Sequence, residues 1–378
     1  MRNVVYTIIS IFLFTSAQAQ ESRTITVDDT VRTYLLDIPG NYDGTEPFGL
    51  VLAFHGLGGS AEGTRTYMRF HEFGEQDRYI TVWPQGLDIP SLLTPGTFEP
   101  GWYLTIDNNR DVMFVELLLD SLERDLNIDP GKIFVTGISN GGFFSDILGC
   151  QLGDRLAAIA PVIGGASRLQ QCSSNPLPMF RLGTVEDEVV DIEYLRDATA
   201  FWVGHNNCNL PPVQDGMCDV YSGCAEGAEV RHCEYECQRS GLQQQCHTWP
   251  MGPAYDFETT ELVLDFFRRH GLSAGASIEK KQAPFSGEVQ FRYMDQGPSQ
   301  KHIYISYGLR GSGNGQVVKV KLSVYSLSGE PIEVLVDKSQ TPGSYHARWE
   351  AGNISSGIYI LRLEAGASDL VNQVLLIY

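Results

Sequence analysis

The sequence predicts two domains, an α/β domain with a mainly parallel central sheet and a smaller all-β sandwich at the C-terminus. Between Thr24 and His270, short apolar runs alternate with stretches of helical spacing, which favours a layered fold around a parallel sheet. Beyond Pro284, polar and apolar residues alternate strictly, and turn residues such as Pro342-Gly343 break the runs at short intervals. That pattern is typical of a β-sandwich.

The elements of the first domain follow from their apolar patterns. Short apolar runs predict buried strands at 50–54, 80–83, 133–135, 159–163 and 179–182. Apolar residues at helical spacing predict a core helix at 111–126, and a closing helix is predicted at 257–270, where Gly271 ends it. These boundaries place the α/β domain at residues 20–271, a linker at 272–284 and the sandwich at 285–378.

The N-terminus and the charge indicate the class of protein. Residues 1–19 have the charged start, apolar middle and small-residue end of a signal peptide, so we expect cleavage after Ala19 and export from a bacterial cell. No later segment approaches the roughly 20 apolar residues of a membrane helix. The formal charge of −19 argues against a nucleic-acid partner, since phosphate binding needs concentrated Lys and Arg.

The 8 cysteines of the chain all lie between Cys150 and Cys246. An even count in an exported protein predicts disulfides, and the spacings lack the C-x-x-C pair of a structural zinc site. Cys150 with Cys172 is the most local pairing outside the later cluster, but the sequence leaves the connectivity open. We expect neither a metal nor an organic cofactor.

The pentapeptide Gly137-Ile138-Ser139-Asn140-Gly141 joins a predicted buried strand to a predicted helix. Glycines two residues before and after the serine relieve crowding where the backbone reverses, so the hydroxyl stands exposed. Ser139 is therefore the candidate nucleophile.

A serine hydroxyl is a weak nucleophile, so acyl transfer needs a histidine base and a carboxylate that orients it. Where the serine lies on a strand-to-helix turn, the chain order is serine, acid, histidine. That order selects His247, in a loop before the closing helix, as the base. For the acid we favour Asp187, which follows the strand at 179–182, with Glu186 as the alternative.

A glycine-rich stretch, His55-Gly56-Leu57-Gly58-Gly59, follows the strand at 50–54. Its glycines let backbone N–H groups approach a substrate closely. Together with the amide of Asn140, these groups are candidates for holding the oxyanion of a tetrahedral intermediate.

Taken together, these segments resemble the secreted esterase family that includes feruloyl esterases and polyhydroxybutyrate depolymerases. The motifs that carry the resemblance are LAFHGLGGS at 52–60, WPQG at 83–86, NIDP at 127–130, VTGISNGG at 135–142 and HTWP at 247–250. The resemblance implies an α/β-hydrolase fold with Ser139 as nucleophile and His247 as base. It also implies Leu57 and Asn140 as oxyanion donors.

The same resemblance suggests that Trp102 and Trp249 line the acyl pocket, since an aromatic wall suits a flat or apolar acid. The chain departs from the family near the acid. Leu182 stands where the family usually has a histidine, and the stretch before Asp187 carries one extra residue.

The C-terminal region resembles the sorting domain of the type IX secretion route, through YSLSG at 325–329 and NISSGIYI at 353–360. The resemblance implies the type IX machinery as a partner. The basic residue with which that family normally closes is absent from the last strand, so a substrate-binding sandwich is the alternative.

The sequence thus predicts a secreted serine carboxylic-ester hydrolase that acts on feruloyl or acetyl esters of plant polysaccharide through an acyl-enzyme. One alternative is a depolymerase of a polyester such as polyhydroxybutyrate, because the same machinery serves either acyl group. A second is an inactive hydrolase fold used as a binding module. A serine peptidase is disfavoured, because the chain lacks a propeller or similar gating domain.

Overall fold

The computed structural model describes most of the chain between residues 19 and 377. The described residues are 19–272, apart from 28, 92, 93, 107, 167, 168, 170, 171, 173, 238, 240–244, 252–254 and 256, and then 302–309, 317–326, 330–340, 343–350, 357–365 and 368–377. The predicted signal peptide, except Ala19, and the predicted linker, except Leu272, lie outside them. The chain divides into two compact units, of which the first takes in residues 1–104 and 111–278 and the second residues 105–110 and 279–378.

The first unit alternates strands and helices. Its strands are β1 (Ala19–Val27), β2 (Thr30–Ile38), β3 (Phe48–Phe54), β4 (Tyr79–Pro84), β5 (Leu87–Pro90), β6 (Phe98–Gly101), β7 (Ile128–Ile138), β8 (Ala158–Val162), β9 (Met179–Gly183), β10 (Val213–Asp215), β11 (Cys218–Tyr221) and β12 (Val230–Glu234). Its α-helices are α1 (Ala61–Met68), α2 (Gly74–Asp77), α3 (Arg110–Asp125), α4 (Asn140–Leu152), α5 (Ile192–His205) and α6 (Thr259–Phe267).

A 10-stranded sheet organises the unit in the order β1-β2-β4-β3-β7-β8-β9-β12-β11-β10. The run from β4 to β12 is parallel throughout, whereas β2 pairs antiparallel with both β1 and β4. This strand order, with its antiparallel second strand and the crossover between β3 and β4, is that of the α/β-hydrolase fold. The predicted fold class is confirmed, although the sequence patterns missed the hairpin of β1 and β2 and the strands β10 and β11.

The core confirms the periodicity of the predicted elements. Strands β3, β4, β8 and β9 are buried at every position, which explains their continuous apolar sequences. In α3, the apolar face is buried at Val112, Val115, Leu118, Leu119 and Leu122. The predicted closing helix is shorter than expected, because the α-helical geometry of α6 ends at Phe267 and a π-helical turn follows at Arg268–Leu272.

Disulfides join the cysteines of the predicted cluster. The pairs are Cys208–Cys224, Cys218–Cys233 and Cys237–Cys246. The second joins residues that face each other across β11 and β12. Cys150 and Cys172, the most local pairing outside that cluster, are both thiols in the structure.

The second unit is all-antiparallel. Its strands are β13 (His302–Leu309), β14 (Val318–Ser326), β15 (Pro331–Gln340), β16 (Gly343–Glu350), β17 (Gly357–Ala365) and β18 (Ser368–Ile377). One sheet pairs β13 with β16, and the other has the order β15-β14-β17-β18. Alternate residues of both sheets share one core, in which Trp349 and Leu322 are fully buried. This is the arrangement of a β-sandwich.

Across the described residues, none of the helices has the length and apolar character needed to cross a membrane.

Candidate active site

The parallel strands bring the candidate residues together at one edge of the sheet. The loops that follow β3, β7, β9 and β12 carry the glycine-rich stretch, Ser139, Asp187 and His247 respectively. Because the carboxyl ends of parallel strands meet at the same edge, residues more than 100 positions apart become neighbours there.

Ser139 lies on a sharp turn between β7 and α4. Its backbone angles are φ 53° and ψ −121°, a conformation that residues with a side chain rarely adopt. A side chain at Gly137 would collide with the carbonyl oxygen of Gly141, and one at Gly141 would collide with that of Phe54. The two flanking glycines are therefore required by the close approach of the backbone.

The hydroxyl, the imidazole and the carboxylate form one chain of hydrogen bonds. Nε2 of His247 lies 2.8 Å from Oγ of Ser139. On the other side of the ring, Nδ1 lies 2.8 Å from Oδ2 and 3.0 Å from Oδ1 of Asp187. A carboxylate only accepts, so Nδ1 carries the proton and Nε2 accepts from the serine. The structure thus brings together the three residues predicted for catalysis.

Asp187 is held in place by its own loop. Its side chain is 2% exposed, and Oδ1 accepts hydrogen bonds of 2.8 Å from the N–H groups of both Val189 and Val190. Burial acts to raise the pKa of this carboxyl, but the hydrogen bonds from His247 and from the two N–H groups outweigh it and lower the pKa. Asp187 is therefore ionised at neutral pH.

The alternative acid, Glu186, points elsewhere. It is exposed, and its carboxylate accepts from the hydroxyl of Thr184 and from the N–H of Cys237, at 3.5 Å from the nitrogen. Neither contact involves the imidazole. The geometry therefore supports Asp187 as the partner of His247.

Two backbone N–H groups near Ser139 have no acceptor among the described residues. One belongs to Asn140, the first residue of α4, which has no earlier carbonyl within the helix. The other belongs to Leu57, whereas Gly58 and Gly59 donate to the carbonyls of Pro100 and Gly56 at 2.8 and 3.0 Å. These are the two groups that the resemblance implied as oxyanion donors.

Gly56 lets the loop approach the serine. A Cβ built at this position would stand 3.3 Å from Cβ of Ser139 and 3.5 Å from the carbonyl oxygen of Ile138. The first distance is tighter than most Cβ contacts, whereas the second is ordinary van der Waals contact. A glycine at this position therefore lets the loop that carries Leu57 pack closely on the nucleophile turn.

His55 holds the glycine-rich loop in place through hydrogen bonds. The ring is fully buried; Nδ1 donates to the carbonyl of Gly56 at 2.7 Å, and Nε2 accepts from the N–H of Gly86 at 2.9 Å. Burial lowers the pKa of His55 to about 4, so the ring is neutral and can both donate and accept. Because His55 precedes Ser139 in the chain, the expected order of serine, acid and histidine excludes it as the base. Its two hydrogen bonds explain why a histidine precedes the glycines.

Trp102 lies in the interior instead of on the wall of an acyl pocket, where the resemblance placed it. It is 0% exposed, its ring stacks on Phe144 at 5.2 Å, and its Nε1 donates to the carbonyl of His55. The backbone N–H and carbonyl of Trp102 both bond to the side chain of Asn140, at 2.7 and 3.1 Å. The backbone of Trp102 thus fixes the side chain of the residue after the nucleophile.

Trp249 is also enclosed. It is 5% exposed, its Nε1 donates to the hydroxyl of Thr260, and its ring meets Phe70 edge-on at 6.1 Å. Both tryptophans that the resemblance places in the acyl pocket are therefore buried in the structure. Burial by residues distant in sequence hides both rings, and no local pattern signals it.

A buried ion pair lies behind the turn. Asp146 of α4 and Arg181 of β9 are both 0% exposed, with Nη2 of the arginine 2.8 Å from Oδ1 of the aspartate. Arg181 also donates to the carbonyl of Gly164, and a side chain at Gly164 would press on the carbonyl of Ser139. The pair thus anchors the segment that packs against the nucleophile, and sequence reasoning missed it.

This chain is similar in sequence to curated feruloyl esterases. Probable feruloyl esterase C of Aspergillus niger is 26% identical over 184 residues, which are 48% of this chain and 65% of the relative. Feruloyl esterase D of Neurospora crassa is 26% identical over 227 residues, or 55% of this chain and 73% of the relative. A bifunctional acetylxylan esterase/xylanase of Neocallimastix patriciarum is 22% identical over 212 residues, covering 52% of this chain and 29% of the relative.

Among solved structures, an acetyl xylan esterase from Aspergillus awamori superimposes with a TM-score of 0.49 at 13% identity, over 66% of this chain and 99% of that one. A thermostable esterase gives a TM-score of 0.48 at 18% identity, over 66% of this chain and 62% of that one. No protein-family model matches the sequence.

Proposed function

We propose that this protein is a serine carboxylic-ester hydrolase that acts on feruloyl or acetyl esters of plant polysaccharide. The observation that carries the proposal is the hydrogen-bonded chain from Ser139 through His247 to Asp187. The sequence similarity to feruloyl and acetylxylan esterases supports the substrate class.

In the first half-reaction, Nε2 of His247 takes the proton of Ser139 while Oγ attacks the ester carbonyl. Asp187 keeps the imidazole in the required tautomer and stabilises the imidazolium that forms. The carbonyl oxygen becomes negative and receives hydrogen bonds from the N–H groups of Leu57 and Asn140. His247 then gives its proton to the leaving alcohol, and the acyl group stays on Ser139.

In the second half-reaction, water takes the place of the alcohol. Nε2 of His247 accepts a proton from the water, whose oxygen attacks the acyl-enzyme carbonyl. The same two N–H groups hold the second oxyanion. When it collapses, Oγ of Ser139 leaves, regains its proton from His247, and the acid is released.

The decisive experiment compares wild type with Ser139→Ala on 4-nitrophenyl acyl esters and methyl ferulate. We expect kcat to fall by about 10⁴-fold or more in the variant, because losing the nucleophile removes the covalent route. Unchanged hydrolysis by Ser139→Ala would overturn the proposal. A wild type that hydrolyses no ester would favour the inactive binding module, and one that clears a polyhydroxybutyrate suspension without releasing ferulate would favour the polyester depolymerase.

We further propose that the enzyme is exported, with the C-terminal sandwich serving sorting or substrate binding. The signal-like residues 1–19 and the disulfides support an oxidising, extracytoplasmic location. The N-terminal sequence of protein recovered outside expressing bacterial cells tests this: we expect it to begin at Gln20.

A further inference from the structure

An apolar surface lies next to the candidate triad, and the proposed mechanism of ester hydrolysis does not use it. It consists of Phe143, Val189 and Tyr194, which we term the Phe143 patch. Tyr194 is 54% exposed, Val189 is 46% exposed, and Phe143 is half-buried. Exposed large apolar groups that cluster beside a reactive site are a common mark of ligand binding.

One end of the patch is attached to the nucleophile. Phe143 lies one turn into α4, and its N–H donates to the carbonyl of Ser139 at 2.9 Å. Its ring packs against the small cluster of Val190, Ile192 and Leu195. The backbone of Phe143 is thus held about one helical turn along α4 from that of Ser139.

The other end of the patch is attached to the acid. The carboxylate of Asp187 accepts from the N–H groups of Val189 and Val190, which holds the backbone of both residues. Tyr194, in the first turn of α5, meets the ring of Phe143 at a centroid distance of 6.5 Å and an angle of 65°. The backbone of the patch residues is therefore bonded at Phe143 to the nucleophile and at Val189 to the acid.

We propose that the Phe143 patch is an acyl subsite that receives the aromatic ring of a hydroxycinnamoyl group. The proposal rests on the proposed esterase function and names the acyl class that the enzyme prefers. In such an ester the ring stands two carbons beyond the carbonyl that Ser139 attacks, and the proposal places this ring on the patch, whereas an acetyl group has no ring to place there. Edge-on and offset contacts with Phe143 and Tyr194 then favour a flat ring.

In this proposal the Phe143 patch lines the acyl pocket, which is the role that the sequence resemblance suggested for Trp102 and Trp249. Both of these tryptophans are buried. An aromatic wall is still present beside the triad, but different residues form it. Tyr194 offers a ring and a hydroxyl at the surface, which suits a substrate ring that carries phenolic groups.

The test uses two substrates with the same leaving group, 4-nitrophenyl ferulate and 4-nitrophenyl acetate, so that only the acyl group differs. The measured quantity is the ratio of kcat/KM for the ferulate to that for the acetate. In Tyr194→Ala and Phe143→Ala we expect this ratio to fall by about tenfold, because the ferulate loses aromatic contacts that the acetate never makes. Tyr194→Phe keeps the ring and retains most of the ratio. Val213→Ala, an exposed apolar residue of β10, is the matched control and keeps the wild-type ratio.

Three outcomes would overturn the subsite: a wild type that cleaves only the acetate, a ratio unchanged in both alanine variants, or an equal loss on both substrates. Tyr194→Ala alone decides the matter if Phe143→Ala does not fold, since Tyr194 is more than half exposed. Ser139→Ala separates this failure from that of the proposed function. Hydrolysis that depends on Ser139 but shows no dependence on the patch leaves the esterase standing and rejects the subsite.

Discussion

The carboxylate of Glu188 accepts a hydrogen bond from the backbone N–H of Cys246, the residue before His247, with both carboxylate oxygens 3.1 Å from the nitrogen. Glu188 directly follows Asp187, so adjacent residues hold the histidine loop twice, once at its backbone and once at the imidazole. Of the three acids in a row at 186–188, two therefore act on the position of His247.

Glu188→Ala is expected to lower kcat for 4-nitrophenyl acetate by roughly tenfold, since a hydrogen bond to a charged group contributes about 1.5–3 kcal/mol and its loss lets the histidine loop shift. Glu188→Gln retains an acceptor oxygen and should restore most of the rate. Steady-state kinetics of both variants check this. Equal activities of Glu188→Ala and wild type would show that the bond has no positioning role.

The disulfide Cys237–Cys246 is the second constraint on the same loop. We expect replacement of both cysteines by alanine to lower kcat by about tenfold, because Cys246 is no longer anchored beside His247. The matched control removes Cys208–Cys224, which lies outside the loops that carry Ser139, Asp187 and His247. That control should lower the thermal midpoint and leave kcat within about twofold of wild type. The idea fails if both double variants lose activity in parallel.

The choice between the neighbouring acids is tested by amide substitutions. Asp187→Asn should lower kcat by about 10⁴-fold, because an amide no longer stabilises the imidazolium and favours the wrong tautomer. Glu186→Gln should stay within about threefold of wild type, since its carboxylate bonds to Thr184 and the N–H of Cys237. Rates for both variants on one 4-nitrophenyl ester decide the assignment, and the reverse ranking would make Glu186 the acid.

Buried, neutral His55 makes stability depend on pH. Its pKa is about 4 in the folded protein, mainly through burial, against an ordinary value of 6.5. Between these values the unfolded chain binds more protons, so the free energy of unfolding falls as pH drops from 6.5 to 4, by about 3 kcal/mol from this group. In urea unfolding, His55→Gln should show a shallower fall across that window than wild type. Parallel pH profiles of the two proteins would contradict this.

The sequence predicts the parts of this molecule that have local signals. The strand before Ser139 and its flanking glycines lie within one short segment, and the order of serine, acid and histidine then selects His247. Asp187 could not be separated from Glu186, because that choice depends on which carboxylate points at a ring 60 residues away. The burial of Trp102 was also beyond reach, since it is enclosed by Phe54 and Phe144, which belong to other elements.

The pair Asp146–Arg181 has no sequence signal either, since its partners lie 35 residues apart on a helix and a strand. Asp146→Asn should lower the free energy of unfolding by about 3–5 kcal/mol, because it leaves the charge of Arg181 buried without a counter-ion. Glu72→Ala, at the exposed pair with Arg69, is the control and should cost less than about 1 kcal/mol. Urea unfolding at neutral pH measures both. Replacing both buried partners, as in Asp146→Leu with Arg181→Met, should recover much of the lost stability, because no unpaired charge then remains in the interior. If the double variant is instead as unstable as Asp146→Asn, the cost lies in the lost hydrogen bonds to Gly164 and its neighbours.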